Sequence, residues 1–183
     1  MWYSPTMFSL LENFWLIQTI GAIALIFITI AWNAKTRRGI LTLQSISLIF
    51  FIAHYTLLSA YAGAAMSVVV LGRNLVLLQE SEENWASHWT WFYFFIFISI
   101  VVLAFFWNGW ISALPVMGAI VGIYGMWKRN PADIRLYMLI ASSIWIPYTI
   151  AVHSYSGLLS QIIGIAGILV GMYRHDRKEV LPS

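Results

Sequence analysis

Apolar runs of about 20 residues, the length that carries a helix across a bilayer core, alternate along this chain with short polar breaks. The clear breaks read "NAKTRRG", "QESEENWAS", "WNGW" and "KRNPAD". Two more, near Ala60 and Ser154, are no longer than a tight polar turn. The pattern predicts seven helices: Asn13–Trp32, Ile40–Ser59, Ala62–Leu78, Trp89–Trp107, Ile111–Trp127, Ile134–Val152 and Gly157–Tyr173. Residues 1–12 are expected near the interface, and residues 174–183 as a tail. The opening "MWYSPTMFSLLENFW" carries no Lys or Arg ahead of the first apolar run. A secretory signal peptide needs that positive segment, so the first span reads as a retained helix.

Composition makes the bilayer the required solvent. Hydrophobic residues are 61% of the chain and charged residues 9%, against about 25% charged in soluble domains. So few charges cannot cover the surface of a soluble globule. With no cysteine, disulfides, thiolate metal sites and cysteine nucleophiles are excluded. The net charge of +3 is no nucleic-acid signature, because the basic residues punctuate apolar spans instead of forming a stripe.

Those basic residues set an orientation. Lys35, Arg37 and Arg38 follow span one; Lys128, Arg129 and Arg135 sit at the turn between spans five and six; Arg174, Arg177 and Lys178 follow span seven. Arg73 lies inside span three, toward its later end, and the other connections and the N-terminal segment have no Lys or Arg. Every extramembrane basic residue therefore falls on one side, which the positive-inside rule makes cytoplasmic. Glu80, Glu82 and Glu83 fall there too, but acidic residues contribute little to orientation. The expectation is seven spans, with the N-terminus periplasmic and the C-terminus cytoplasmic.

The chain also reads as a duplication. "IAHYTLLSAYAG" at 52–63 is echoed by "IPYTIAVHSYSG" at 146–157, pairing Tyr55-Thr56 with Tyr148-Thr149 and Gly63 with Gly157. Upstream, Gly21-Ala22-Ile23 pairs with Gly118-Ala119-Ile120, and Trp32 with Trp127, with indels of a few residues between landmarks. On this alignment His54 stands against Pro147. Three helices, a crossing helix, then three more in the same orientation give two parallel bundles: a first at 13–79, an acidic loop and linker helix at 80–107, and a second at 108–173. Parallel repeats of this kind are a transporter device, with the substrate site between the halves.

Polar groups inside spans are costly and mark the candidate site. Span one puts Gln18, Ala22, Leu25 and Thr29 on one stripe beside Gly21, and span three aligns Gly63, Ser67 and Asn74. Span seven aligns Gly157, Gln161, Gly164 and Gly171; spans two and six add Gln44, Ser47, His54, Ser142, Ser143 and Trp145. The substrate-binding candidates are Gln18, Gln44, His54, Ser67, Arg73, Asn74, Trp145 and Gln161. Amides that donate and accept, beside an indole face, suit a neutral polar solute. The same residue types also stitch helices together, so packing stands beside cavity lining for each. Arg73, under about 10 Å from the span's end, reads either as snorkelling toward headgroups and the Glu80 loop or as a gate beside Asn74. Pro115 and Pro147 interrupt backbone pairing within spans five and six and are the candidate hinges. No catalytic set, metal cluster or cofactor site is present, so no enzyme is expected.

At "NFWLIQTIGAIALI", "AHYTLLSAYAGAA" and "LPVMGAIVGIYGMW" the chain resembles the YgjV-type family of bacterial inner-membrane proteins, over residues 13–175. That resemblance implies an inner-membrane location. More distantly, the order of three, one and three helices is similar to the SWEET and PQ-loop group of sugar and small-solute transporters. This second resemblance implies that an Asn on helix three holds substrate, a role open to Asn74. On helix seven the chain offers Gln161. Of the hinge prolines on helices one, two, five and six, only Pro115 and Pro147 have counterparts, and no Pro-Gln pair occurs. The expected function is transport or facilitated passage of a small neutral polar solute, sugar-like or similar, by alternating access. The alternative is a non-transporting assembly or regulatory protein with an inherited transporter-like fold. Expected partners are the bilayer and the solute, with a homo-oligomer left open.

Overall fold

The computed structural model describes residues 5–32, 34, 36–80, 85–128 and 130–175. Residues 1–4 of the expected interfacial segment lie outside these, as do Lys35, Glu82, Glu83, Arg129, Arg177 and Lys178. Among the described residues there are seven α-helices and no strand. They are α1 (Pro5–Trp32), α2 (Arg37–Leu57), α3 (Tyr61–Leu78), α4 (Trp89–Phe105), α5 (Ala113–Trp127), α6 (Pro131–Ala151) and α7 (Tyr155–His175). Single turns of 3-10 helix at Trp85–Ser87 and Trp110–Ser112 lead into α4 and α5. Six are long and apolar enough to cross a membrane when α5 is counted with the 3-10 turn before it as Trp110–Trp127; α4, at 17 residues, is a shorter apolar helix.

Local chemistry places the boundaries. Thr36 caps α2 by accepting from the Gly39 N–H, and Asn130 caps α6 by accepting from the Ala132 N–H, ahead of Pro131 at the first helical position. Such caps satisfy amides that have no partner within the helix. α2 and α6 end alike. Ser59 (φ 56°) and His153 (φ 53°) adopt the left-handed conformation. The Ala60 N–H then bonds the Tyr55 carbonyl and the Ser59 N–H that of Thr56; Ser154 bonds Thr149 and His153 bonds Ile150 in the same way. This is the paired hydrogen-bond pattern of a Schellman motif.

These landmarks share one spacing of 94 residues: 36 to 130, 59 to 153, 60 to 154. The spacing carries no insertion, unlike the alignment read from the sequence, and it moves that alignment by one residue. His54 corresponds to Tyr148, Tyr55 to Thr149 and Gly63 to Gly157, so Pro147 stands against Ala53. Farther back, Ser47 Oγ donates to the Ala24 carbonyl. A Cβ on Gly118 would lie 3.3 Å from the Ala141 carbonyl. The spacing thus pairs Gly118 with Ala24, three residues from the expected Gly21.

Side-by-side packing runs α1–α2–α3–α5–α6–α7 and back to α1, with α4 outside that ring against α3 and α5. Two ends result. The turn end carries the α2–α3 and α6–α7 turns; the basic end carries the α1–α2 and α5–α6 connections. Arg37 Nη1 meets Glu80 Oε2 at 2.7 Å at the basic end. Nearby, Leu41, Leu77, Met126, Met138 and Ile168 from five helices form an apolar plug. At the turn end Phe51, Tyr55, Ala60, Ala64 and Tyr148 pack with Ala24.

The buried face matches the predicted stripe on α3, at Gly63, Ser67 and Asn74, and in part on α7, but lies one residue off it on α1. On α1 the buried positions are Gly21, Ala24 and Ala31, whereas Ala22 and Leu25 are half-buried. On α7 they are Ser156, Gly157, Ser160, Gly164 and Ile168, with Gln161 beside them and half-buried. Pro115 lies in the first turn of α5, where no helical partner exists for its missing N–H, so no helical bond is broken there. Pro147 is inside α6, which continues through it.

Candidate functional site

Two polar clusters gather most of the predicted residues, one at each end of the bundle. The turn-end cluster is built on His54, fully buried on α2. Its Nδ1 faces the Ile17 carbonyl at 2.9 Å and its Nε2 faces Ser154 Oγ at 2.8 Å. A carbonyl only accepts, so Nδ1 carries the proton, and in the neutral ring Nε2 accepts from the serine hydroxyl. Ser154 Oγ in turn accepts from the Gly157 N–H at 3.2 Å, capping α7. Ser156 Oγ lies 3.4 Å from both His54 Nε2 and Gln18 Oε1, and Gln18 Nε2 donates to the His153 carbonyl at 3.1 Å. Gly21 forms the floor: a Cβ there would overlap Ser156 Oγ and the imidazole.

At the same spacing of 94 residues, the position matching His54 holds Tyr148, 2% exposed. Its hydroxyl accepts from the Gly63 N–H at 2.8 Å and donates to the Ala60 carbonyl at 3.2 Å. His54 thus reaches from α2 to the residue that caps α7, and Tyr148 from α6 to the first turn of α3. The difference between the rings follows from what they meet. α7 is preceded by Ser154, which caps its own helix and needs only to be oriented. α3 is preceded by Ala60, which has no side-chain acceptor, so the tyrosine hydroxyl supplies one. Between the two positions Trp145 packs edge-on to Tyr148 at 5.7 Å and tilted against Tyr55 at 6.1 Å, over Gly118.

Arg73 centres the basic-end cluster. It is 2% exposed and Asn74 is fully buried, which overturns the snorkelling reading. The loop contact is also taken elsewhere, since Glu80 pairs with Arg37. Arg73 Nε and Nη2 both donate to Asn74 Oδ1, at 3.2 and 2.7 Å, and Asn74 Nδ2 donates to Gln44 Oε1 at 3.1 Å.

Besides Trp145, two predicted residues stay outside both clusters. Ser67 is buried but bonds the Gly63 carbonyl of its own helix. Gln161 is half-buried and, by the constant spacing, level with Ser67, so it lies about 10 Å along the axis from the depth of Asn74. Ile168 occupies the Asn74 level on α7. An open pocket of about 390 Å³ lies at the turn end, lined by Tyr61, Phe105, Trp107, Asn108, Ser112 and Tyr148 among others. None of the predicted substrate residues borders it. Ser154 and Ser156 were missed by the sequence reading. Their signal is "SYSG" before α7 where the first half has "AYAG" before α3: serines replacing alanines in an apolar context.

No curated protein and no solved structure matches the chain. A family model, Imp-YgjV, described as bacterial inner membrane protein, matches residues 15–179. With nearly the whole chain covered and six helices able to cross a bilayer, this chain belongs to the Imp-YgjV family of bacterial inner membrane proteins.

Proposed function

We propose that the protein is an inner-membrane transporter or facilitator of a small polar solute, built from two parallel three-helix halves that rock about their interface. α1–α3 form one half and α5–α7 the other, with α4 as the crossing linker. The carrying observation is the reciprocal contact at the turn end, where His54 and Tyr148 reach across to α7 and α3 from corresponding positions. An interface repeated in this way has two equivalent seams, and a solute site between parallel repeats lies on such seams. The turn-end cluster of Gln18, His54, Ser154 and Ser156 has no carboxylate, which favours a neutral, sugar-like solute there.

The linker role of α4 is supported by its tryptophans. Trp85 and Trp89 are exposed at one end and Trp107 and Trp110 at the other, as in an aromatic belt. From Trp89 to Trp107 a helix spans about 27 Å, close to a bilayer core of about 30 Å. With the basic end cytoplasmic, the N-terminus is periplasmic and the C-terminus cytoplasmic.

A second reading, a non-transporting assembly or regulatory protein, draws on the closure of the turn-end cluster. Its polar groups already bond one another, and Pro115 breaks no helical bond. Uptake of labelled sugars and polyols into proteoliposomes separates the two. Transport predicts uptake that falls severalfold in Asn74→Ala, with Gln161→Ala affected less. Absence of uptake across the panel sinks the transport reading.

A further inference from the structure

A guanidinium buried within a membrane-spanning helix needs a counter-charge, since removing an ion from water costs several kcal/mol unless it is paired. Arg73 has no such partner among the described residues. An ion pair at that end joins Arg37 to Glu80. The bonds Arg73 does make go to a neutral amide oxygen. Nε–H and one Nη2–H converge on Asn74 Oδ1, so the side-on edge of the fork is occupied. The end-on edge, Nη1 with the second Nη2–H, has no described partner. That edge has the two-donor geometry that matches a carboxylate or phosphate.

The side chains around that edge are closely packed, with one glycine among the residues that face it. Gly122 of α5 faces it: a Cβ there would lie 3.8 Å from Arg73 Nη1, 3.7 Å from Met138 and 3.8 Å from Ala141. Glycine thus keeps one side of the guanidinium clear of side chain, although alanine would fit without a clash. Asn74 is held by Gln44, so the fork is fixed from α2 through α3 before any ligand arrives.

We infer that the edge of Arg73 without a partner among the described residues, beside Gly122 and held through Asn74, is a binding site for an oxyanion, a carboxylate or a phosphate. The inference deepens the transport reading by giving the basic-end cluster an anionic group to hold, whether borne by the solute or bound alongside it. Binding is read without transport, so the two fail separately: a chain that binds an oxyanion but takes up nothing loses only the transport reading.

The test is thermal unfolding of the full chain in a neutral sugar-headgroup detergent at low ionic strength. Inorganic phosphate and acetate are titrated against chloride at equal ionic strength. The expected result is a saturable rise in melting temperature with the oxyanions. The midpoint should weaken about tenfold or more in Gly122→Ala, and the effect should vanish in Arg73→Gln. Should Arg73→Gln fail to fold, Gly122→Ala decides, because it keeps the guanidinium and its amide partners. A parallel series in nanodiscs compares phosphatidylcholine alone with added phosphatidylglycerol. A rise confined to the anionic lipid, and weakened in Gly122→Ala, assigns the site to a headgroup phosphate. No saturable rise in either series, or the same rise in the variants as in the wild type, overturns the inference.

Discussion

Tyr148 shows how much one hydroxyl carries in this fold. It serves the first turn of α3, where Ala60 has no cap to offer, and it does so from the other half of the chain. Tyr148→Phe keeps the ring packing against Tyr55 and Trp145 but leaves the buried Gly63 N–H and the Ala60 carbonyl without that partner. The expected loss is about 1–3 kcal/mol, read as a lower melting temperature of the purified protein; an unchanged one would show that the hydroxyl contributes nothing. From the sequence Tyr148 was legible only as a landmark of the repeat. Hydrogen bonds between residues 85 apart in the chain leave no local signal.

At the scale of elements, the two short turns are the most informative. Both end a helix on a left-handed residue that is not glycine, Ser59 in one and His153 in the other. That conformation costs an ordinary residue about 1–2 kcal/mol. His153→Gly is therefore expected to raise the melting temperature and His153→Val to lower it, the side chain itself being exposed. Equal melting temperatures for the two variants would contradict the strain argument. The turns were visible in the sequence as breaks near Ala60 and Ser154. Their common geometry was not, because neither carries the glycine that ordinarily marks such a cap. The matching of Tyr-Thr pairs drew the alignment off by one, and the backbone bonds correct it.

For the whole molecule, orientation and the status of α4 are one experimental question. The chain has no cysteine, so single cysteines report cleanly. With α4 as a crossing helix, His88→Cys and Asn108→Cys are expected to react with a membrane-impermeant maleimide from opposite faces, Asn108→Cys in intact cells whose outer membrane is permeable to it. Labelling of both from one face would remove α4 from the bilayer and with it the linker role. The packing order, with α4 outside a ring of six, is consistent with a helix added to join two halves.

Sequence alone determined the solvent, the helices and the polar inventory, because each depends on local composition. About 20 apolar residues in a row demand a bilayer wherever they sit, and a break ends a helix whatever it packs against. Tertiary structure decided which polar groups meet. Gln18, His54, Ser154 and Ser156 come together only because Gly21 lets α1 approach α2 and α7. Arg73 turns inward to Asn74, which Gln44 holds, while Arg37 from another helix pairs with Glu80. Gln161 and Asn74, matched by residue type, stand at different depths. Depth, facing and charge compensation are set by neighbours distant in the chain, and no periodicity within a single helix encodes them.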